Sequence, residues 1–165
     1  IKLLFGGNMK NIRRAIEKDV DDINELLYQV HKVHSDGRPD IFKEGCKKYT
    51  TKELKKIIVD DEKPIFVFVN DNNKVVGYVF CIYQNTMEVS SLVDRKILFI
   101  DDFCVDLNER GKNIGVELYK FIEIEAKKNK CVGVVLNVWN FNKIGIKFYE
   151  KLGFNPLKTV MEKKL

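Results

Sequence analysis

The stretch Arg110-Gly111-Lys112-Asn113-Ile114-Gly115 follows an apolar run from Ile97 to Val105 and precedes a strongly helical segment. In this order a strand leads into a turn whose small or turn-prone residues let backbone N–H groups converge. The helix that follows adds the positive end of its dipole, and the Arg and Lys side chains add positive charge. The stretch therefore predicts a cradle for a phosphate group, although similar turns also cap ordinary helices that bind no ligand.

Two well-known phosphate loops do not fit this turn. The ATP-type loop ends in Gly-Lys-Ser/Thr, whereas Gly115 is followed by Val116 and Glu117. The dinucleotide-binding loop needs a third glycine and an acidic residue about 20 positions later. The turn has the glycines Gly111 and Gly115 alone, so a different kind of phosphate ligand is indicated.

The turn resembles the Arg-x-x-Gly-x-Gly/Ala pyrophosphate loop of the GNAT N-acetyltransferase superfamily, with Arg110, Asn113 and Gly115 in the three marked places. The segment 142–154 is similar to the closing helix of that family, usually Asn-x-x-Ala-x-x-x-Tyr-Glu-x-x-Gly-Phe. Asn113 replaces the usual Gly, but Asn is one of the few residues that tolerate a positive φ. We therefore expect somewhat weaker cofactor binding, not its loss.

The resemblance implies transfer of an acetyl group from acetyl-CoA to a primary amine of a small molecule or peptide, by direct attack in a ternary complex. The pantetheine arm would pair beside the fourth strand, and the pyrophosphate would lie on the N–H groups of the turn. The implied cofactor-binding residues are Phe103, Cys104, Val105, Arg110, Gly111, Lys112, Asn113, Ile114, Gly115 and Asn142. The alternative is a non-catalytic module of the same fold that binds an acyl-CoA and senses its level.

Tyr149 is the predicted general acid, because it matches the Tyr that relatives use to protonate the departing sulfur. A phenol has a reference pKa of about 10 and carries its proton at neutral pH. The alternative is a Tyr that only fills the core of an amphipathic helix.

Asp101 is the predicted general base, since it and Asp102 interrupt an apolar strand in which buried carboxylates need partners or a purpose. Strand alternation predicts that Asp101 shares a side with Phe103 and Val105, opposite Asp102. Asp101 also stands at a position similar to that of a catalytic His in arylalkylamine acetyltransferases. Its alternative is a purely structural carboxylate bonded to nearby backbone or to Arg95.

Asn137 is the predicted substrate-binding residue. Ribosomal-protein alanine acetyltransferases carry a Glu at this place, and an Asn cannot accept a proton at neutral pH, although it can orient an amine or a water. Proton transfer through a chain of waters therefore stays open, and a ribosomal-protein acceptor is in doubt. The loops 31–49 and 85–96 are expected to select the amine. Candidate pocket residues, which could equally be solvated surface, are His31, His34, Arg38, Asp40 and Phe42.

The periodicity of apolar residues predicts the element order β-α-α-β-β-β-α-β-α-β. This order resembles that of the GNAT fold, which implies an α/β mixed sheet with helices on both sides. The resemblance implies the GNAT fold, with a mostly antiparallel N-terminal half and a parallel strand pair splayed around the CoA site. Predicted strands are Ile12–Ile16, Ile65–Val69, Val75–Tyr83, Ile97–Val105, Val132–Val138 and Thr159–Glu162. Predicted features between them are an Asp19-capped helix, a polar loop His34–Lys48, a helix from Thr51, a hairpin turn Asn70–Asn73, a helix after the cradle and a closing helix ended by Gly153.

Length and composition are those of one soluble domain, predicted over residues 9–165. The chain has 165 residues, is 45% hydrophobic and 32% charged, and carries a net charge of +5 without a dense basic arm. We therefore expect no nucleic-acid partner and no membrane association. Residues 1–8 do not match the pattern that follows, and are expected to be a cloning remnant or an upstream extension.

The cysteines predict a reducing environment and no metal. Cys46, Cys81, Cys104 and Cys131 are widely spaced, without Cys-x-x-Cys or nearby His pairs, and are expected to be buried free thiols. Because no cleavable leader precedes Met9, the expected setting is the cytoplasm. A homodimer is possible by analogy with the family.

Overall fold

The computed structural model describes residues 9–86 and 90–165 and shows one mixed sheet with helices on both faces. Its elements are β1 (Ile12–Arg14), α1 (Val20–Gly37), α2 (Thr51–Ile58), β2 (Ile65–Val69), β3 (Val75–Asn85), β4 (Lys96–Val105), α3 (Ile114–Lys128), β5 (Gly133–Leu136) and α4 (Lys143–Lys151). Residues 1–8, predicted to be a cloning remnant or an upstream extension, lie outside the described residues. None of the described helices is long and apolar enough to cross a membrane.

The sheet has the order β1-β2-β3-β4-β5. The first four strands pair antiparallel, and β4 pairs with β5 in parallel. This arrangement confirms the predicted fold class, because a parallel pair needs a crossover, and α3 supplies it.

Each face of the sheet has its own apolar core. On one face, α1 and α2 bury side chains such as Ile23, Leu27 and Leu54 against Tyr78 of β3. On the other face, α3 buries Leu118 and Ile122 against β3 and β4. We call these the α1–α2 face and the α3 face, because the chemistry described below divides between them.

Several predicted boundaries are confirmed and have clear local causes. Strand β2 has the predicted bounds and follows Pro64 directly. The hairpin turn forms because the Asn70 side chain accepts hydrogen bonds from the N–H groups of Asn72 and Lys74, both at 3.0 Å. Helix α2 begins after Thr50, whose side chain exchanges hydrogen bonds with Glu53 in a capping box. Gly153, at φ 89°, follows the end of α4.

The predicted final strand Thr159–Glu162 is wrong. Residues 152–165 contain no strand, and the apolar side chains of Val160 and Met161 point to solvent. Two exposed ion pairs hold the segment instead, Glu162 with Arg38 at 2.8 Å and Lys164 with Asp40 at 3.1 Å. Side-chain ion pairs fix the position of a segment without the backbone ladder that defines a strand.

Three smaller predictions need correction. Helix α1 continues to Gly37, so the polar loop begins later than His34 and both histidines lie on the helix. Asp19 precedes α1, but its carboxylate binds the Arg13 guanidinium at 2.6 and 2.8 Å and makes no capping bond. Cys46 is exposed and Cys131 is half-buried, whereas Cys81 and Cys104 are buried free thiols as predicted.

Candidate active site

The predicted cradle lies between the end of β4 and the start of α3. Asn113 directly precedes α3 and adopts φ 63° and ψ 5°, so the expectation that Asn tolerates the left-handed conformation here is confirmed. Its side chain makes no capping bond, whereas Thr50 and Asn142 cap α2 and α4. The first N–H groups of α3, which have no partner within the helix, are therefore free of a side-chain cap.

Positive charge surrounds these N–H groups. Residues 110–113 are exposed. The Arg110 Nε donates to the Val105 carbonyl at 3.2 Å, and the Lys112 ammonium lies 2.8 Å from Glu109. Gly115 packs closely behind the turn, since a Cβ there would lie 3.1 Å from the Phe148 ring. Uncapped donors, exposed cations and close backbone packing fit a pyrophosphate group.

Strands β4 and β5 diverge just before the cradle. They pair from Ile97 to Ile100 of β4, and β4 then continues to Val105 while β5 ends at Leu136. The predicted cofactor residues Phe103, Cys104 and Val105 lie on the part of β4 that no described strand accompanies on this side. Their backbone groups are thus placed where an extended ligand arm could pair.

A β-bulge places both carboxylates of β4 on the α1–α2 face. Asp102 pairs with Phe80 of β3, whereas the next pair joins Ile100 and Cys81, so Asp101 is the extra residue. The carboxylate of Asp101 contacts Tyr49, and that of Asp102 contacts Tyr78 of the α1–α2 core. The prediction that Asp101 lies on the side of Phe103 and Val105 is wrong, because the bulge interrupts strand alternation.

Asp101 is held by the segment that leads into α2. The Tyr49 hydroxyl donates to one carboxylate oxygen, and the Lys48 ammonium lies 2.8 Å from the other. Lys48 also donates to the Asp101 carbonyl at 2.8 Å. Burial and the hydrogen bond to Asp101 raise the pKa of Tyr49 well above its usual range, so Tyr49 stays a donor. The partners of Asp101 are therefore Lys48 and Tyr49, not Arg95.

Asp102 is the less compensated carboxylate. It accepts hydrogen bonds from the backbone N–H of Phe103 at 2.9 Å and from the Tyr78 hydroxyl at 3.3 Å. Burial raises the pKa of Asp102 to about 6, and the Asp101 charge acts in the same direction against the opposing Lys48 cation. A carboxylate with a pKa near neutrality is suited to accept a proton at working pH.

Tyr149 lies on α4, with its ring between three others. The centroids of Phe148, Phe154 and Phe103 lie 5.3, 5.6 and 6.4 Å from its own. Burial, followed by the Asp102 charge, raises the pKa of Tyr149 well above its usual range, so the hydroxyl keeps its proton.

The other predicted site residues have mixed surroundings. Asn137 is exposed and follows β5 directly. The Asn142 side chain accepts a hydrogen bond from the Gly145 N–H at 2.9 Å and so caps α4. His31 bonds the Lys43 carbonyl at 2.7 Å, and Arg38 bonds Asp40 at 2.8 Å. A direct role of Asn142 in cofactor binding stays a prediction.

Sequence reasoning named His34 and Phe42 as candidate pocket residues but missed Trp139 and Phe141, which complete an aromatic cluster with them. Phe42 packs 5.1 Å from His34 and 5.3 Å from Trp139, and Trp139 stacks on Phe141 at 5.9 Å. The cluster joins α1, the α1–α2 loop and the β5–α4 loop. The pKa of the His34 imidazole is lowered, first by burial and then by the nearby His31 and Lys48. The pattern Trp-Asn-Phe at 139–141 was the available indication, but sequence spacing does not reveal contacts between distant loops.

Known proteins share both the sequence pattern and the architecture. The model of the Acetyltransferase (GNAT) family matches residues 27–154. The uncharacterized N-acetyltransferase MJ1207 of Methanocaldococcus jannaschii is 31% identical over 150 residues, which are 90% of this chain and 62% of that protein. The chain thus spans less than two thirds of the length of this relative.

Solved structures agree with the fold. A mutant of the BH1408 protein from Bacillus halodurans is 28% identical with a TM-score of 0.90, over 93% of this chain and 98% of that one. The aminoglycoside N-acetyltransferase AAC(6')-Iy in complex with CoA has a TM-score of 0.67 at 14% identity, over 93% and 98% of the two chains. The protein described here belongs to the GNAT acetyltransferase family.

Proposed function

We propose that this protein transfers the acetyl group of acetyl-CoA to a primary amine of a small molecule or peptide, in a ternary complex. The observation that carries the proposal is the uncapped start of α3 beside the diverging strands. Asn113 in the left-handed conformation leaves the first N–H groups of that helix without a side-chain cap, and Arg110 and Lys112 add positive charge. CoA is the ligand of one structural neighbour, which has the same fold.

The residues that would hold acetyl-CoA lie on the α3 side of the gap. Arg110, Gly111, Lys112, Asn113, Ile114 and Gly115 would bind its pyrophosphate, and the backbone of residues 103–105 would pair with its extended arm. Acetyl-CoA supplies a thioester whose carbonyl carbon accepts the amine nitrogen while the C–S bond breaks. Asn142 is the remaining proposed cofactor residue, acting through the start of α4 that its side chain caps.

The amine would arrive from the α1–α2 face, where the carboxylates lie. Asp101 is the base predicted from the sequence. Its ion pair with Lys48 and the hydrogen bond that it accepts from Tyr49 also hold its carboxylate in one position in the site. Asp102, with a pKa raised to about 6 chiefly by burial, is the second carboxylate able to take the proton that the amine loses. Asn137, exposed at the end of β5, would orient the amine or a water in the proton path.

Tyr149 would complete the proton balance from the other side of the gap. Its raised pKa keeps the phenol protonated at neutral pH, so it can donate to the sulfur that leaves. The products are an amide and a free thiol, with one proton removed by the carboxylate side and one delivered by Tyr149. Water returns Tyr149 and the carboxylate to their starting states.

The test is release of free CoA thiol by the purified chain with acetyl-CoA and a panel of polyamines, aminoglycosides, amino acids and peptide N-termini. Amide formation, verified by mass, is expected with at least one class. Acetyl-CoA binding with no turnover across every class would contradict the enzyme proposal and support the non-catalytic sensing alternative.

A further inference from the structure

An open groove extends along the α1–α2 face of the sheet, away from the two carboxylates. It has a volume of about 390 Å³, and its lining includes Ile97 and Phe99 of β4, Val135 of β5 and Leu157 of the C-terminal segment. Because side chains on one face of a strand recur every second residue, Ile97 and Phe99 lead directly to Asp101. The groove therefore runs toward the site where the amine would react, and Phe99 is its lining residue nearest in sequence to Asp101.

The aromatic cluster is joined to the groove through the β5–α4 loop. Asn137 lines the groove, and Trp139 follows it by two residues. Trp139 is 38% exposed, although one edge packs on Phe42 at 5.3 Å and one face on Phe141 at 5.9 Å. Gly37 at the end of α1 makes room for Phe141, because a Cβ there would overlap its ring at 2.3 Å. A large, rigid apolar surface is thus presented two residues beyond Asn137, which lines the groove.

The positive charges around this surface disfavour the binding of a polycation. The loop 38–48 carries the cations Arg38, Lys43, Lys47 and Lys48 against the anions Asp40 and Glu44. Two further basic side chains, Arg95 and Lys158, line the groove. The carboxylates at its inner end are Asp101, which Lys48 already neutralises at 2.8 Å, and Asp102. These charges complement a single ammonium group.

We propose that the acceptor is a monoamine whose amino group is carried on an aromatic or other bulky apolar arm. The arm lies in the groove against Trp139 and Phe42, and the ammonium is received by the Asp101 and Asp102 carboxylates. This inference rests on the proposed acetyl transfer and names the substrate class for the same site. It excludes polyamines and aminoglycosides as preferred acceptors, since each would place extra cations among Lys48, Arg95 and Lys158.

The test compares kcat/KM for phenethylamine, n-butylamine and spermidine with saturating acetyl-CoA. Phenethylamine is expected to exceed spermidine by about tenfold or more, which corresponds to about 1.4 kcal/mol. In Trp139→Ala the KM for phenethylamine rises by about tenfold while the affinity for acetyl-CoA is unchanged. Tyr28→Ala, which removes an exposed ring on α1 that lies over Lys47, is the control and leaves both values unchanged. Equal or better use of spermidine would overturn the inference.

A second measurement separates this inference from the proposed function. Trp139 is the one tryptophan of the chain, so its fluorescence reports occupancy of the groove without turnover. Saturable change with phenethylamine, and none with spermidine, is expected even if no amide forms. Failure of acetylation with a normal fluorescence response would count against the enzyme alone, whereas no response to phenethylamine would overturn the groove assignment.

Discussion

The Lys48 ammonium lies 2.8 Å from a carboxylate oxygen of Asp101 and the same distance from the carbonyl oxygen of that residue. This pair ties the segment before α2 to the bulge of β4. It also sets the local charge, because the Lys48 cation opposes the rise in the pKa of Asp102. Lys48 therefore binds one of the two carboxylates directly and acts electrostatically on the other.

Replacing Lys48 with Met is expected to shift the acid side of the pH–rate profile to higher pH. The wild-type rate should rise as the pH passes about 6, because Asp102 then gives up its proton. Without the nearby Lys48 cation the ionised form of Asp102 is less stable, so its pKa rises further. The measurement is kcat/KM as a function of pH. Lys47→Met is the matched control, since Lys47 bonds Asn24 and Thr51 instead, and its profile should match the wild type. A profile unchanged in Lys48→Met would contradict the link.

Asp102→Asn is expected to stabilise the fold at neutral pH while lowering activity. Because the pKa of Asp102 in the folded protein is about 6, above the ordinary 3.8, the native state binds this proton more tightly than the unfolded chain does. The carboxyl therefore stabilises the fold below about pH 4, and that contribution is lost as pH rises through about 6.

The corresponding gain in the free energy of unfolding of Asp102→Asn should be about 3 kcal/mol at pH 8 and fall toward zero near pH 4. Urea unfolding of both proteins at several pH values measures it. A stability difference that does not vary with pH would show that Asp102 titrates normally.

How much the sequence predicts depends on whether a feature is local. The left-handed Asn113, the Asn70–Asn73 turn and the start of α2 follow from residue type, since each depends on the conformational range or hydrogen bonds of a few neighbours. The β-bulge at Asp101 depends on pairing with a distant strand, so alternation within β4 alone gave the wrong face. The aromatic cluster and the irregular C-terminal segment likewise result from contacts between remote loops.

Tyr149→Phe is expected to lower kcat by about 100-fold, because the phenol proton is lost while the ring packing remains. Acetyl-CoA affinity, measured by calorimetry, should stay nearly unchanged. Tyr119→Phe is the control, since Tyr119 also packs on Phe154, at 5.2 Å, but belongs to α3. If both variants keep wild-type turnover, Tyr149 is a packing residue and not the acid.

Asn113 tests the backbone requirement of the cradle. Asn113→Gly keeps the left-handed conformation at no steric cost, so acetyl-CoA affinity should be equal to or better than that of the wild type. Asn113→Val forces a β-branched residue into the same conformation at a cost of about 1–2 kcal/mol and should weaken affinity by about tenfold or more. Equal affinities for the Gly and Val variants would show that the turn geometry does not control binding.

Calorimetric titration of the chain with acetyl-CoA, beside free CoA, ATP and NAD, tests the phosphate cradle most directly. Binding of acetyl-CoA and CoA at micromolar concentration, without comparable binding of ATP or NAD and with clear weakening in Arg110→Ala, is the predicted result. No binding of acetyl-CoA, or equal binding of all four compounds that Arg110→Ala leaves unaltered, would contradict it.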